Sequence, residues 1–403
     1  MQTIADLHLH SKYSRATSPQ MEPEMMSFWA KKKGIDILGT GDFTHPSYLK
    51  ELQEKLVEDG SGLLSLRSTK ENLRFMLTGE ISCIYKHNDK TRRVHLCVNV
   101  PDFKTAEKIN KELEKRKCNI RSDGRPIIGL SSRDLTELCL EANEKTMIVP
   151  AHIWTPWFAV FGSKSGYDSI EECFEDMTPH IYAVETGISS DPEMNWRLSQ
   201  LDNITLLSNS DAHSPANLGR EANVFDLKER TYDEIYEVIK NKDLKKFLYT
   251  IEFFPQEGKY YFDGHRACDF SCSPTESKEK YKNICPKCKR PLILGVNYRI
   301  DDLADRDLGV KPKNAIPFKS IVPLQEIIAE VLQRGKKTKG VTAIYEEMIM
   351  KGNNEFNILL NLDREEIEKI SNDRIAEGIL RVREGRVNIE PGYDGEFGVV
   401  KVF

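Results

Sequence analysis

The segment Thr3-Ile4-Ala5-Asp6-Leu7-His8-Leu9-His10 alternates between side chains that would face opposite sides of an extended strand. On a strand's two-residue period, Asp6, His8 and His10 project from one face at its exit. That is half of a metal site. The rest of the chain repeats the arrangement. Strands are predicted over residues 3–9, 36–40, 75–79, 94–100, 146–150, 181–184 and 205–207, with helices over 23–33, 46–58, 105–117, 132–143 and 232–241 between and after them. Short apolar segments alternating with longer charged ones are the pattern of βα units and a largely parallel sheet. Seven or so such repeats fit a barrel better than a small open sheet, and barrels place their chemistry at the C-terminal ends of the strands.

Those ends carry metal-binding groups. Asp42 follows Ile37-Leu38-Gly39-Thr40-Gly41, Glu80 follows residues 75–79, and His95 opens the apolar run 94–100. His152 follows residues 147–151, Glu185 follows 181–184, and Asp211 and His213 follow 206–210. A single His or Asp at a strand end is usually a cap or a hydrogen-bonded surface group. Many of them crowded at one barrel mouth would be costly unless paired or metallated. Imidazole and carboxylate without cysteine suit Zn, Mn or Fe in a site that keeps a position open for water.

At 403 residues the chain exceeds one ordinary compact core. We divide it into a barrel over 1–255, a zinc ribbon over 256–300 and a mostly helical region over 301–403, the last with helices predicted over 321–333, 342–351 and 364–383. Hydrophobic residues make up 39% and charged residues 30%, and no apolar stretch is long enough to span a membrane. The opening residues lack an export signal, so a cytoplasmic, nucleoid-associated location is expected. A net charge of -5 argues against a uniformly basic coat but leaves room for a local basic face. No Gly-x4-Gly-Lys-[Ser/Thr] and no Gly-x-Ser-x-Gly is present, so an ATP-driven helicase or kinase and a serine nucleophile elbow are unsupported.

In a reducing compartment clustered cysteines read first as metal ligands. Cys268-x3-Cys272 and Cys285-x2-Cys288 predict a structural zinc held by four thiolates. Lys287, Lys289 and Arg290, with Lys278, Lys280 and Lys282, offer phosphates a positive face, although a charge run is often only a solvated surface. Cys83, Cys97, Cys118, Cys139 and Cys173 are scattered and read as core or surface residues. The loop over 153–166 sets Trp154, Trp157 and Phe158 beside His152, where they could stack on or wedge between bases or pack onto the rim.

In order and spacing, His8-Leu9-His10, Asp42, Glu80, His95, His152 and Asp211-Ala212-His213 resemble the metal-binding motifs of the PHP (polymerase and histidinol phosphatase) superfamily. The resemblance implies a distorted (β/α)7 barrel whose mouth holds a cluster of metal ions and hydrolyses phosphoesters. One departure is Asp42-Phe43, where many members have Asp-His. It leaves one metal position remodelled, with His45 or Asp42 as candidates to replace the missing histidine. Over its full length, with the ribbon and the segments 295–306, 323–329 and 390–395, the chain resembles the endonuclease Q family of DNA repair nucleases.

That resemblance implies cleavage on the 5' side of deaminated bases (uracil, hypoxanthine, xanthine) and abasic sites, in double- or single-stranded DNA. His8, His10, Glu80, His95, His152, Asp211 and His213 are the expected ligands of catalytic Zn2+, with Mn2+ or Mg2+ as further candidates. Glu80 is the expected bridge between two metals, and Asp211, Glu80 and Asp42 the expected catalytic carboxylates. The ribbon and Arg381, Arg383 and Arg386 are expected to grip flanking duplex. A sliding clamp is a further candidate partner, although residues 399–403 lack the usual clamp-binding pattern. The competing readings are a histidinol-phosphatase-like small-molecule phosphoesterase and a non-catalytic zinc-ribbon binding module.

Overall fold

The computed structural model describes residues 1–69 and 72–403. Seven strands surround one mouth: β1 (Gln2–Asp6), β2 (Ile37–Gly39), β3 (Arg74–His87), β4 (Lys90–Val100), β5 (Met147–Pro150), β6 (Ala183–Glu185) and β7 (Thr205–Leu207). β1, β2 and β3 are parallel neighbours, with Asp6 opposite Leu38 and Leu38 opposite Phe75. β6 and β7 are parallel as well. The ring closes where the Leu7 amide donates to Asn209 and the His10 amide to the Ala212 carbonyl. Asn223 pins this seam, bonding the Ser208 amide and carbonyl and the Asn209 side chain. The result is the distorted PHP-type barrel.

The sheet is less parallel than the βα alternation predicts. β3 and β4 form a long antiparallel hairpin from Leu77–Val100 to His87–Lys90, and β4 runs antiparallel to β5. His95 lies in the middle of β4, opposite Ser82 and two residue pairs from Glu80, so the hairpin register brings the two together. Strands not expected from the sequence include β8 (Ala222–Asp226), antiparallel to β1, and β9 (Phe247–Glu252), antiparallel to β8.

Helices were the more legible elements. Pro23–Lys33 forms as predicted, with proline in the first turn and Gly34 ending it. The amphipathic helices Phe103–Lys115, Ser132–Ala142 and Tyr232–Lys240 pack their apolar faces on the barrel. The helix predicted over 364–383 is two helices, Arg364–Ile370 and Asp373–Arg383, because Asn372 caps the second by accepting from the Ile375 amide. The C-terminal part is not a detached appendage. Its strand β10 (Phe318–Ser320) extends the barrel sheet beside β9, and Leu324, Ile327 and Ile328 join the barrel's principal core cluster.

Candidate metal centre

His8 and His10 leave β1 with their Nε2 atoms pointing into the mouth, because carboxylates hold the other ring nitrogen of each. His8 Nδ1 lies 3.0 Å from both oxygens of Glu185. His10 Nδ1 lies 3.1 Å from Asp42 Oδ1. Each pairing favours the Nδ1–H tautomer and leaves a lone pair on Nε2. Asp42 is itself held by the Ser11 amide and hydroxyl, both at 2.6 Å, and by the Ser14 hydroxyl at 2.8 Å. Asp42 therefore orients His10 and is not among the converging donors, which corrects its expected place as ligand and catalytic carboxylate. His45 does not substitute either: its Nε2 faces the Arg121 carbonyl and its ring lies against Tyr13. Phe43 is fully buried in the core.

Two groups of donors come together, each with its atoms within 4.8 Å of one another: His8, His10 and Asp211, and Glu80, His95 and His152. Glu80 links them. Its Oε2 lies 3.2 Å from His10 Nε2, and its Oε1 lies 2.6 Å from His95 Nδ1 and 3.2 Å from His152 Nε2. A third group, His8, Cys97 and Glu185, lies on the Nδ1 side of His8, where burial pushes the Cys97 thiol up to about 12 and keeps it protonated. We read that group as support for the ring. His213 does not join a group; its Nδ1 faces its own Asp211 carbonyl and its ring lies 4.5 Å from that of His10.

The donors fit divalent cations on their own geometry. His8 Nε2, His10 Nε2 and Asp211 Oδ1 are all buried and all lack a hydrogen-bond partner, yet the last two lie only 3.1 Å apart. Two acceptors so placed repel unless a cation lies between or beside them. The field has the same sign. Burial pushes the His10 imidazole down, but Asp211, Asp42 and Glu80 outweigh it and hold its pKa well above the ordinary value. Burial would likewise raise Glu80, and His95, Arg125 and the neighbouring imidazoles hold it well below the usual carboxylate range. An environment that stabilises added positive charge at buried imidazoles also suits a metal ion.

Backbone strain marks the same residues. Asp42, His152 and Asp211 adopt positive φ angles of 48°, 31° and 46°. Residues other than glycine seldom do so, Asn, Asp and His more readily than the rest, and surrounding structure has to enforce it. Two glycines make room. At Gly41, with φ 66°, a Cβ would lie 2.5 Å from the Leu9 carbonyl, and at Gly187 it would lie 2.5 Å from the His152 Cβ.

The sequence reading missed Arg125. Its Nη1 lies 3.1 Å from Glu80 Oε2 at the mouth. It comes from the irregular 121–126 segment, where no period or spacing singles out one arginine. Trp154, expected at the nucleic-acid surface, is instead core: it is 1% exposed, donates to Asn195 and packs on Phe161. Trp157 and Phe158 stay partly exposed at the rim, Trp157 beside Tyr260 and Phe158 with its ring 4.7 Å from His95.

In the ribbon, a hairpin of Asp263–His265 with Phe270–Cys272 faces the 285–288 knuckle. The four donors that converge are His265, Cys268, Cys285 and Cys288. Cys272, the fourth thiol expected from spacing, is buried against Leu292 and Cys285 and stays outside this group. Burial raises Cys285, but the Cys288 and Lys287 amides more than offset it and leave the thiol lowered to about 7. Amide-stabilised thiolate suits a tetrahedral zinc. Lys287 donates to the Cys268 and Asp269 carbonyls, whereas Lys289 and Arg290 are exposed.

The C-terminal arginines are occupied within the fold. Arg383 donates to the carbonyls of Ile358, Leu359 and Leu362 and so closes the helix Glu355–Leu360. Arg381 pairs with Glu377, and Arg386 with Glu377 and Glu384. Arg383 is thus committed to the fold, while Arg381 and Arg386, expected to grip flanking duplex, face carboxylates at the surface.

Family models match two parts of the chain, a PHP-associated model over residues 193–244 and the MJ0043 C-terminal domain over residues 323–386. The uncharacterized protein MJ0043 of Methanocaldococcus jannaschii is 34% identical over 254 residues, which is 61% of this chain and 31% of that protein. The chain thus spans about a third of that relative's length. The uncharacterized protein YqxK of Bacillus subtilis is 27% identical over 98% of both chains. Among solved structures, the lesion-specific endonuclease PfuEndoQ from Pyrococcus furiosus superposes with a TM-score of 0.88 at 30% identity, covering 100% of this chain and 95% of that one. An endonuclease Q in complex with a 27-mer duplex substrate carrying an abasic lesion at the active site gives a TM-score of 0.88 at 31% identity, covering 100% and 96%. On this likeness over its whole length, together with the histidine and carboxylate cluster at the barrel mouth, the chain belongs to the endonuclease Q family of the PHP superfamily.

Proposed function

We propose that this chain is a metal-dependent DNA repair endonuclease that hydrolyses the phosphodiester on the 5' side of deaminated bases (uracil, hypoxanthine, xanthine) and of abasic sites. One observation carries the reading: two donor groups share Glu80, and three of their buried atoms have no partner within the protein. The abasic duplex bound by a relative of equal length supports DNA as the partner. Divalent cations held here, with zinc the best match to the donors, would supply a water that loses its proton near neutral pH and would neutralise charge on the phosphate oxygens.

The chain's own residues do the rest. Glu185 and Asp42 fix the tautomers of His8 and His10, so that both Nε2 lone pairs face the mouth. Asp211, the candidate catalytic carboxylate, is kept ionised beside His10 and holds a full negative charge where cations are required. Arg125 brings a permanent positive charge to the Glu80 edge, where a phosphate oxygen can be met. Trp157 and Phe158 offer ring faces to an extruded nucleotide at the rim. In this reading residues 1–255 perform the chemistry, the ribbon over 256–300 meets phosphates through Lys289 and Arg290, and residues 301–403 brace both.

The test is incubation with end-labelled duplexes carrying one uracil, hypoxanthine or abasic site, with and without chelator, beside a generic phosphomonoester. Nicking on the 5' side of the lesion, lost with chelator and in Asp211→Asn, is the expected result. Phosphomonoester hydrolysis without nicking would replace the proposal with the small-molecule reading.

A further inference from the structure

Outside the metal centre, the far end of the 153–166 loop encloses a polar cavity of about 500 Å³. Lys90, Arg92, Lys164 and Arg299 line it, with Asp168 and Glu172 as its acids. Both acids are committed: Asp168 pairs with Arg299, and Glu172 accepts from the Asp168 amide. Lys90 and Lys164 are exposed and pair with no carboxylate among the described residues. The cavity is therefore left with surplus positive charge.

Arg92 makes it more than a charged surface. Its side chain is 9% exposed, its guanidinium lies 4.0 Å from the Tyr167 ring centroid, and one end donates to the Gly166 carbonyl. Its Nε has no partner, and neither has the buried Ser163 hydroxyl. A buried charged donor left unmatched is expensive, and an anion with several oxygens would satisfy it together with the two lysines.

The cavity and the metal centre share a strand, β4, with Lys90 and Arg92 on the face opposite His95. Arg93 shares a strand face with His95, and its guanidinium lies 5.9 Å from the Phe158 ring, which in turn lies 4.7 Å from His95. From His95 to Arg92 the strand advances about 10 Å.

We propose that this cavity binds a non-scissile phosphodiester of the substrate DNA. The assignment rests on the nuclease reading above.

The experiment scans an abasic duplex with single methylphosphonates, each removing one negative charge, against the full-length protein and its Lys90→Ala/Lys164→Ala variant. These two side chains are exposed, so the fold should survive their loss; Arg92→Lys, scanned in parallel, probes the buried donor. The wild type should lose binding several-fold at one non-scissile position, and the variants should be insensitive at that same position. The double variant's salt dependence should flatten by about one to two in log–log slope. Identical interference profiles and slopes for wild type and variants overturn the cavity assignment alone. A wild type that neither binds nor nicks the unmodified abasic duplex overturns the nuclease reading and this site with it.

Discussion

Asp42 shows how far a side chain's job depends on which atom it faces. Its carboxylate sits behind His10, saturated by Ser11 and Ser14, so its contribution to a metal is indirect. Asp42→Asn should weaken metal binding by about 10- to 100-fold in chelator competition while leaving the far-ultraviolet spectrum unchanged. Loss of folding instead would show that the contact is structural. Glu252 makes a different prediction. Burial, with the Asp191 carboxylate nearby, pushes it up to about 8 from an ordinary 4.5, and its buried neighbour Glu221 is raised as well. The folded state thus holds protons that the unfolded chain has released. The stability this supplies is fully present below about pH 4.5 and drains away as pH climbs through about 8. The melting temperature should fall across that window, and Glu252→Gln should flatten the fall.

At the level of elements, the 153–166 loop divides its aromatics between core and rim. Trp154→Ala should cost about 3–5 kcal/mol in denaturant unfolding, because a fully buried indole and its hydrogen bond to Asn195 are lost. Trp157→Ala should stay within about 1 kcal/mol of wild type and weaken binding to lesion-bearing duplex. Equal stability effects would show that both rings are packing. The C-terminal helix makes the complementary case. Arg383→Ala removes the donor to three carbonyls and should destabilise by about 2 kcal/mol. The salt dependence of DNA binding should not change.

Across the whole molecule, barrel, ribbon and C-terminal region are tied by contacts distant in sequence. Tyr393 donates to Asp269 beside the ribbon knuckle, Arg299 reaches back to the Phe161 carbonyl, and β10 pairs with β9. Zinc at the ribbon should therefore be measurable as an element of global stability. His265→Ala and Cys285→Ser should each lower zinc content by one equivalent per chain and reduce the melting temperature. Cys272→Ser should leave zinc content unchanged; loss of zinc there would restore the four-thiolate reading.

The amino-acid sequence by itself determined that donors border short apolar runs, as His8, His10, Glu80, His95, His152 and Asp211 do, and it placed the barrel helices within a few residues of where they form. Those are local properties: a two-residue period, a 3.6-residue period, a cap. Which nitrogen of His10 faces Asp42, that Arg125 rather than another arginine meets Glu80, that His265 stands where Cys272 was expected, and that Trp154 turns inward were decided only by tertiary structure. Each depends on atoms tens of residues apart coming within about 3–5 Å. No periodicity or spacing along one chain encodes which of several equivalent side chains will be on the inside when distant segments meet.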